Sequence, residues 1–136
     1  MKVLRFVSIA LLMITISAKA QPGRKTITLE ADGQPSLKFE EILHDFGNIV
    51  EGTQATFEFK YTNTGKAPLI LSDVKPPCSC TTPEWPKDTF LAGKSAIIKV
   101  TFDSKGKPGS FSKTIEVKHN GESGRDYITI KGMVGT

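Results

Sequence analysis

The sequence predicts an all-β fold, a Greek-key β-sandwich of about seven antiparallel strands, behind an N-terminal export signal. Three observations carry that reading. Apolar and polar residues alternate with period two along most of the chain after residue 37. Turn-forming clusters interrupt the alternation roughly every 8–15 residues. A short charged and then apolar leader opens the chain.

In the leader, Lys2 and Arg5 supply positive charge, and Phe6 to Ile16 is apolar apart from Ser8, Ala10 and Thr15. Ala18-Lys19-Ala20 then offers a small-x-small cleavage pattern. The apolar run is about 11 residues, against the roughly 20 that span a bilayer. No cysteine follows Ala20 to carry a lipid. Residues 1–20 are therefore read as a signal peptide cleaved after Ala20. The expected mature chain starts at Gln21, has no transmembrane span, and resides in the periplasm or extracellular space of a bacterium.

Export changes the meaning of the charge. The chain has 18 Lys and Arg against 14 Asp and Glu, but Lys2, Arg5 and Lys19 leave with the leader. The near-neutral mature chain argues against nucleic acid or an anionic membrane as partner. A domain of this size buries roughly two-thirds of its unfolded surface, so disulfides are not obligatory for folding. Two cysteines are too few for a disulfide framework, although export puts them where thiols oxidise.

Residues 21–36 are polar and punctuated by Gly and Pro, and read as a tether, with a short strand at Thr26–Glu30. The domain is expected over 37–136. From Ala55 to Thr62 every odd position is apolar and every even one polar, a half-buried strand with one wet face. Ala96 to Phe102 repeats the pattern, with Ile97 the only apolar residue on the outer side. Phe111, Ile115 and Val117 share one face of a further strand, and Ile128 and Ile130 one face of the last, Tyr127 to Lys131. The segments at 63–65, 103–109 and 120–124 supply turn residues between strands. Leu69-Ile70-Leu71 with Val74 is apolar on both sides, as in a central strand or one that changes sheets. Between Leu37 and Phe46 the phase slips, which a bulge or kink near Glu40–Glu41 would resolve. This pattern favours an immunoglobulin-like sandwich over a small closed barrel.

An ordered set of motifs adds to this: His44-Asp45-Phe46-Gly47 with Ile49 and Gly52, Phe59 with Thr62-Asn63 and Gly65, Pro68-Leu69 with Leu71, Cys78-x-Cys80-Thr81 with Pro83 and Trp85, Gly93, Val100 with Phe102, and Gly109 with Phe111 and Lys113. The set resembles the bacterial domain-of-unknown-function family numbered 1573, small exported Ig-like domains similar to the ASH/MSP/hydin sandwiches. The resemblance runs over about residues 37 to 134. It implies a fold and a compartment and carries no assigned activity. Pro77 and Ser79, around the first cysteine, depart from the family pattern.

The Cys78-Ser79-Cys80 triplet is the one place with specific chemistry. Pro76, Pro77 and Pro83 flank it, and prolines remove backbone donors and fix the chain, so the segment is read as a stiff loop rather than a freely pairing strand. Residues two apart can place their α-carbons within the bridging range of about 4.4–6.8 Å. Such a bridge closes a tiny, strained loop with little entropic gain. Trp85 is placed to cover the sulfurs. Three readings stay open: a local disulfide or reduced pair stiffening the loop, a redox-active pair, and a soft-metal site. In the last, Cys78 and Cys80 would bind Zn²⁺ or Cu(I) with His44, His119 or Met133 completing the set. A cysteine nucleophile would need His44 or His119 as its base.

Other features read as structural. His44-Asp45 fits a surface histidine beside a turn-forming aspartate. Lys105, Lys107 and Lys113 fit solvated edge charge, and Glu40-Glu41 point apart on a strand. No catalytic residues, binding-site motif or cofactor are expected. The sequence thus points to an exported, non-enzymatic module that binds another envelope or secreted protein or serves a structural role. The alternative is a thiol-redox or soft-metal protein centred on Cys78 and Cys80.

Overall fold

A computed structural model describes residues 33–136. The leader 1–20, the tether up to residue 32 and the strand expected at Thr26–Glu30 lie outside the described residues. Period-two alternation produces eight strands: β1 (Leu37–Phe39), β2 (Leu43–Val50), β3 (Gln54–Asn63), β4 (Leu71–Lys75), β5 (Thr81–Glu84), β6 (Ser95–Asp103), β7 (Gly109–His119) and β8 (Arg125–Gly135). They form two four-stranded sheets, ordered β1-β3-β6-β5 and β2-β8-β7-β4. This is the Ig-like sandwich that the alternation predicts, with eight strands where about seven were expected. One pairing differs from expectation: β2 runs parallel to β8, and all the others are antiparallel. Alternation specifies which face a strand buries, not the direction of a partner distant in sequence.

The chain changes sheets at both sides of the sandwich. At Glu40–Ile42 it leaves β1 in one sheet and enters β2 in the other, which accounts for the phase slip more fully than the expected bulge. Glu40 and Glu41 accordingly meet different partners, Lys60 Nζ at 2.9 Å and His44 Nδ1 at 3.7 Å. The bulge itself lies further on, between Asp45 and Asn48, where Asp45 Oδ1 accepts the Gly47 N–H at 2.8 Å. On the other side β4 leads through the cysteine loop to β5. Leu69 also lies at a change of sheet, pairing with Phe90 just before Leu71 joins β7.

The inward positions meet in one core. Phe59, Tyr61, Ile98, Val100 and Phe102 face Ile115, Val117, Ile128, Ile130 and Val134. Phe102 stacks on Phe111 at 4.1 Å, joining the two sheets. Each such side chain contributes on the order of 1.5–3 kcal/mol by burial. Tyr61 is the exception among them, because its buried Oη has no hydrogen-bond partner.

At one end, Asn63 is fully buried and all its polar groups are bonded. Oδ1 accepts from Ser36 N at 3.3 Å and Gly65 N at 3.0 Å. Nδ2 donates to Ala67 O at 2.8 Å and Phe90 O at 3.0 Å. Its backbone N–H and C=O bond Lys94 O and Gly93 N. Gly65 is required here: a Cβ would lie 2.2 Å from Gln34 O and 2.5 Å from Ser36 N. Residues 34–36, the end of the expected tether, thus lie bonded against the domain, with Lys66 N donating to Gln34 O and Thr64 N to Ser36 O.

Asn63→Ala should lower unfolding free energy by on the order of 3 kcal/mol, because four buried groups lose partners at once; urea unfolding at neutral pH measures it. Burial pushes the Tyr61 phenol up to about 12 from 10.0. Below pH 10 the phenol is neutral in both states; above it the unfolded chain ionises first. Stability is therefore expected to fall as pH rises from 10 through about 12. Tyr61→Phe should flatten that fall and leave neutral-pH stability equal or higher, which paired pH-resolved unfolding curves check.

Candidate functional site

The cysteine loop is built by the change of sheet. β4 ends at Lys75, and Pro76-Pro77 cannot continue the ladder. The chain then turns, with Thr81 N donating to Cys78 O at 3.3 Å, and Asp103 N captures Cys80 O at 2.8 Å. Cys78 and Cys80 form a disulfide with α-carbons 5.3 Å apart. The two sulfurs differ in setting. Cys80 belongs to the core, whereas Cys78 is half-buried and Ser79 is exposed. The next residue, Thr81, is 2% exposed, and its Oγ1 lies 3.7 Å from Cys78 Sγ and 3.8 Å from Cys80 Sγ.

The expectation that the proline-flanked segment would not pair as a strand is corrected. Thr81–Glu84 pairs with β6, with Pro83 opposite Val100. Cys80 O is bonded to β6, and bonded positions alternate, so Pro83 falls where no N–H is required of it. An edge strand tolerates proline there. Trp85, just beyond β5, packs at the margin of the same core as Cys78. Its indole N–H is buried without a partner, and the Lys87 ammonium sits 2.9 Å from its ring centroid.

The structure does not bring the other candidate ligands to the cysteines. His44 lies on β2, at the opposite side of the sandwich from the β4–β5 crossing. Its ring stacks on Phe57 at 3.6 Å and meets Phe46 edge-on at 4.7 Å, so it packs between the sheets rather than lying on the surface as expected. Met133 is exposed on β8. His119 sits at the Asn63 end, whereas the cysteines lie beside Asp103, at the other end of β6. Among the described residues no three His, Cys, Asp or Glu side chains converge as a metal site. Lys105 and Lys107 are exposed, as expected of solvated charge, but Lys113 takes an inward phase on β7 and is half-buried.

His119 organises a cluster that its sequence context did not reveal. Gly121 N–H donates to Nδ1 at 3.0 Å, so Nδ1 is bare and Nε2 carries the proton. Nε2 then donates to Asp126 Oδ2 at 3.0 Å, with Ser123 Oγ at 3.3 Å. Serine, histidine and aspartate together invite comparison with a hydrolase. A catalytic relay, however, needs hydroxyl and carboxylate on opposite ring nitrogens, and here both lie on Nε2. The cluster instead locks the 120–124 turn. Gly121 belongs to it, since a Cβ would lie 2.7 Å from His119 Nδ1. The turn residues 120–124 were legible in the sequence; that His119 folds back onto them was not.

Residues 37–134 match the family described as "Protein of unknown function (DUF1573)". Among solved structures, a protein of unknown function from Porphyromonas gingivalis W83 is similar, with a TM-score of 0.66, 17% identity, and coverage of 80% of this chain and 51% of that one. The ASH/PapD-like domain 7 of human CEP192 has a TM-score of 0.60 and 11% identity, with 89% and 96% covered. The VesB protease of Vibrio cholerae has a TM-score of 0.58 and 17% identity, with 76% and 32% covered. The chain thus spans about half of the Porphyromonas protein and a third of VesB. These likenesses show the fold alone. No curated protein matches the chain.

A bridge closing so short a loop removes little chain entropy, about 1.5 kcal/mol. Reduction, or Cys78→Ala with Cys80→Ala, should therefore lower stability by no more than about that amount and leave the fold intact. Denaturation curves with and without a reductant, alongside far-UV circular dichroism, check this.

Proposed function

The chain belongs to the DUF1573 family, and we propose that this protein is a non-enzymatic Ig-like module, exported to the cell envelope, that binds a partner protein along the free edge of β2. The character of that edge carries the reading. β2 has eight residues and is the longest of the four edge strands. The other edges are blunted: β1 has three residues, β4 has five and ends on Lys75, and β5 has four residues and Pro83. β2 has no lysine, and Ile42 (61%), Leu43 (45%) and Val50 (69%) stand exposed along it. Natural sheets guard an edge with lysine, proline or brevity; β2 has none of these, and apolar residues at both of its ends flank the bulge at Asp45–Asn48, so it is suited to accept an extended strand.

Export is supported by the charged and apolar leader and by the disulfide, a bond that persists in oxidising compartments. The expected partner is therefore an envelope or secreted polypeptide with a segment of alternating apolar residues.

A photocrosslinking residue placed at Leu43 or Val50 of the full chain, expressed in its own host, tests the reading. The expected result is one discrete adduct, on a processed protein starting at Gln21, absent when the residue stands at Lys105. Retention of residues 1–20 would refute export; equal labelling from all three positions, or none, would refute the β2 interface.

A further inference from the structure

Thr81 is 98% buried, and no oxygen or nitrogen among the described residues takes or gives its hydroxyl hydrogen bond. Its only partners are the two sulfurs, Cys78 Sγ at 3.7 Å and Cys80 Sγ at 3.8 Å. Neutral sulfur is a weak acceptor, whereas an ionised acceptor roughly doubles a hydrogen bond's strength. The hydroxyl is therefore aimed at charge that exists only once the S–S bond opens. Fixed donors that stabilise a developing anion work in this way.

The rest of the loop fits an exchangeable bond. The half-buried Cys78 is the sulfur open to attack, and Cys80 is sunk in the core as the leaving group. Pro76, Pro77 and the pairing of Thr81–Glu84 with β6 hold the backbone on either side independently of the bridge. The bridge spans only three residues, so folding depends on it little.

We propose that Cys78–Cys80 is a thiol-exchange site that accepts electrons from a protein dithiol, with Cys78 as the attacked sulfur and Thr81 as the positioning residue that stabilises the Cys80 thiolate. The donor's thiolate bonds to Cys78 Sγ; the Cys78–Cys80 bond breaks, and its electron pair leaves on Cys80 Sγ beneath the Thr81 hydroxyl. The donor's second thiolate then attacks the donor sulfur of this mixed disulfide and releases Cys78 as a thiolate. The two protons lost by the donor thiols end on Cys78 and Cys80. The donor is oxidised to a disulfide, and Cys78–Cys80 is reduced to two thiols. The inference does not depend on the β2 interface, which lies at the opposite side of the sandwich.

The test follows reduction of the full mature chain by dithiothreitol over time, with acid quenching, alkylation and mass measurement. Thr81→Val, which removes the hydroxyl at constant shape, should slow reduction about tenfold, because the Cys80 sulfur is charged only as the bond opens. Thr81→Ser should stay near wild type. With glutathione disulfide, Cys80→Ala should take glutathione on Cys78, and Cys78→Ala should leave Cys80 unmodified. An unchanged rate in Thr81→Val, an equal slowing in Thr81→Ser, or modification of Cys80 as fast as Cys78 would overturn the proposal. The cysteine variants decide the order of attack even where Thr81→Val fails to fold.

Discussion

Asn63 stands where β3 ends and the chain must turn, and six hydrogen bonds converge on that one buried residue. A side-chain amide supplies two donors and two acceptor lone pairs in one rigid plane. The end of this sandwich uses all of them, on loops 34–36, 64–67 and 90. An apolar residue at this position would leave loop amides and carbonyls buried without partners. That cost exceeds the gain from any single hydrogen bond, which is why one polar residue in an apolar interior organises its whole end.

The second asparagine at this end works by the same logic on a different loop. Asn120 Oδ1 accepts from Ile70 N at 2.8 Å and its Nδ2 donates to Pro68 O at 3.0 Å. Together with His119, it ties the β7–β8 turn to the strand that changes sheets. Both histidines are thereby absorbed into structure, one in an aromatic stack and one in a turn. Among the described residues, the disulfide is set partly at the surface, with Cys78 half-buried.

The two sides contrast physically. At the β1–β2 crossing the sheets are closed by ring stacking, His44 on Phe57, and β2 is paired on one side only, with β8. At the β4–β5 crossing the closure is a short covalent loop with a buried hydroxyl over it. Non-covalent packing leaves the first side suited to association; the second holds a bond that can be exchanged without dismantling the core.

Much of this was legible in the residues. The strands at 55–62, 96–102 and 111–118 follow from alternation, because one wet and one dry face impose period two whatever the neighbours are. The change of sheet near Leu71 showed as an apolar run on both sides. The cysteine pair was visible as the one place with specific chemistry because proximity in sequence guarantees proximity in space. Tertiary structure alone decided the rest: the parallel pairing of β2 with β8, the inward turn of His44, the fold-back of His119, and β5 as a strand despite its proline. Each joins residues far apart in sequence or depends on which side of a strand is free. Local pattern determines what a residue buries; only the assembled sheets determine against whom.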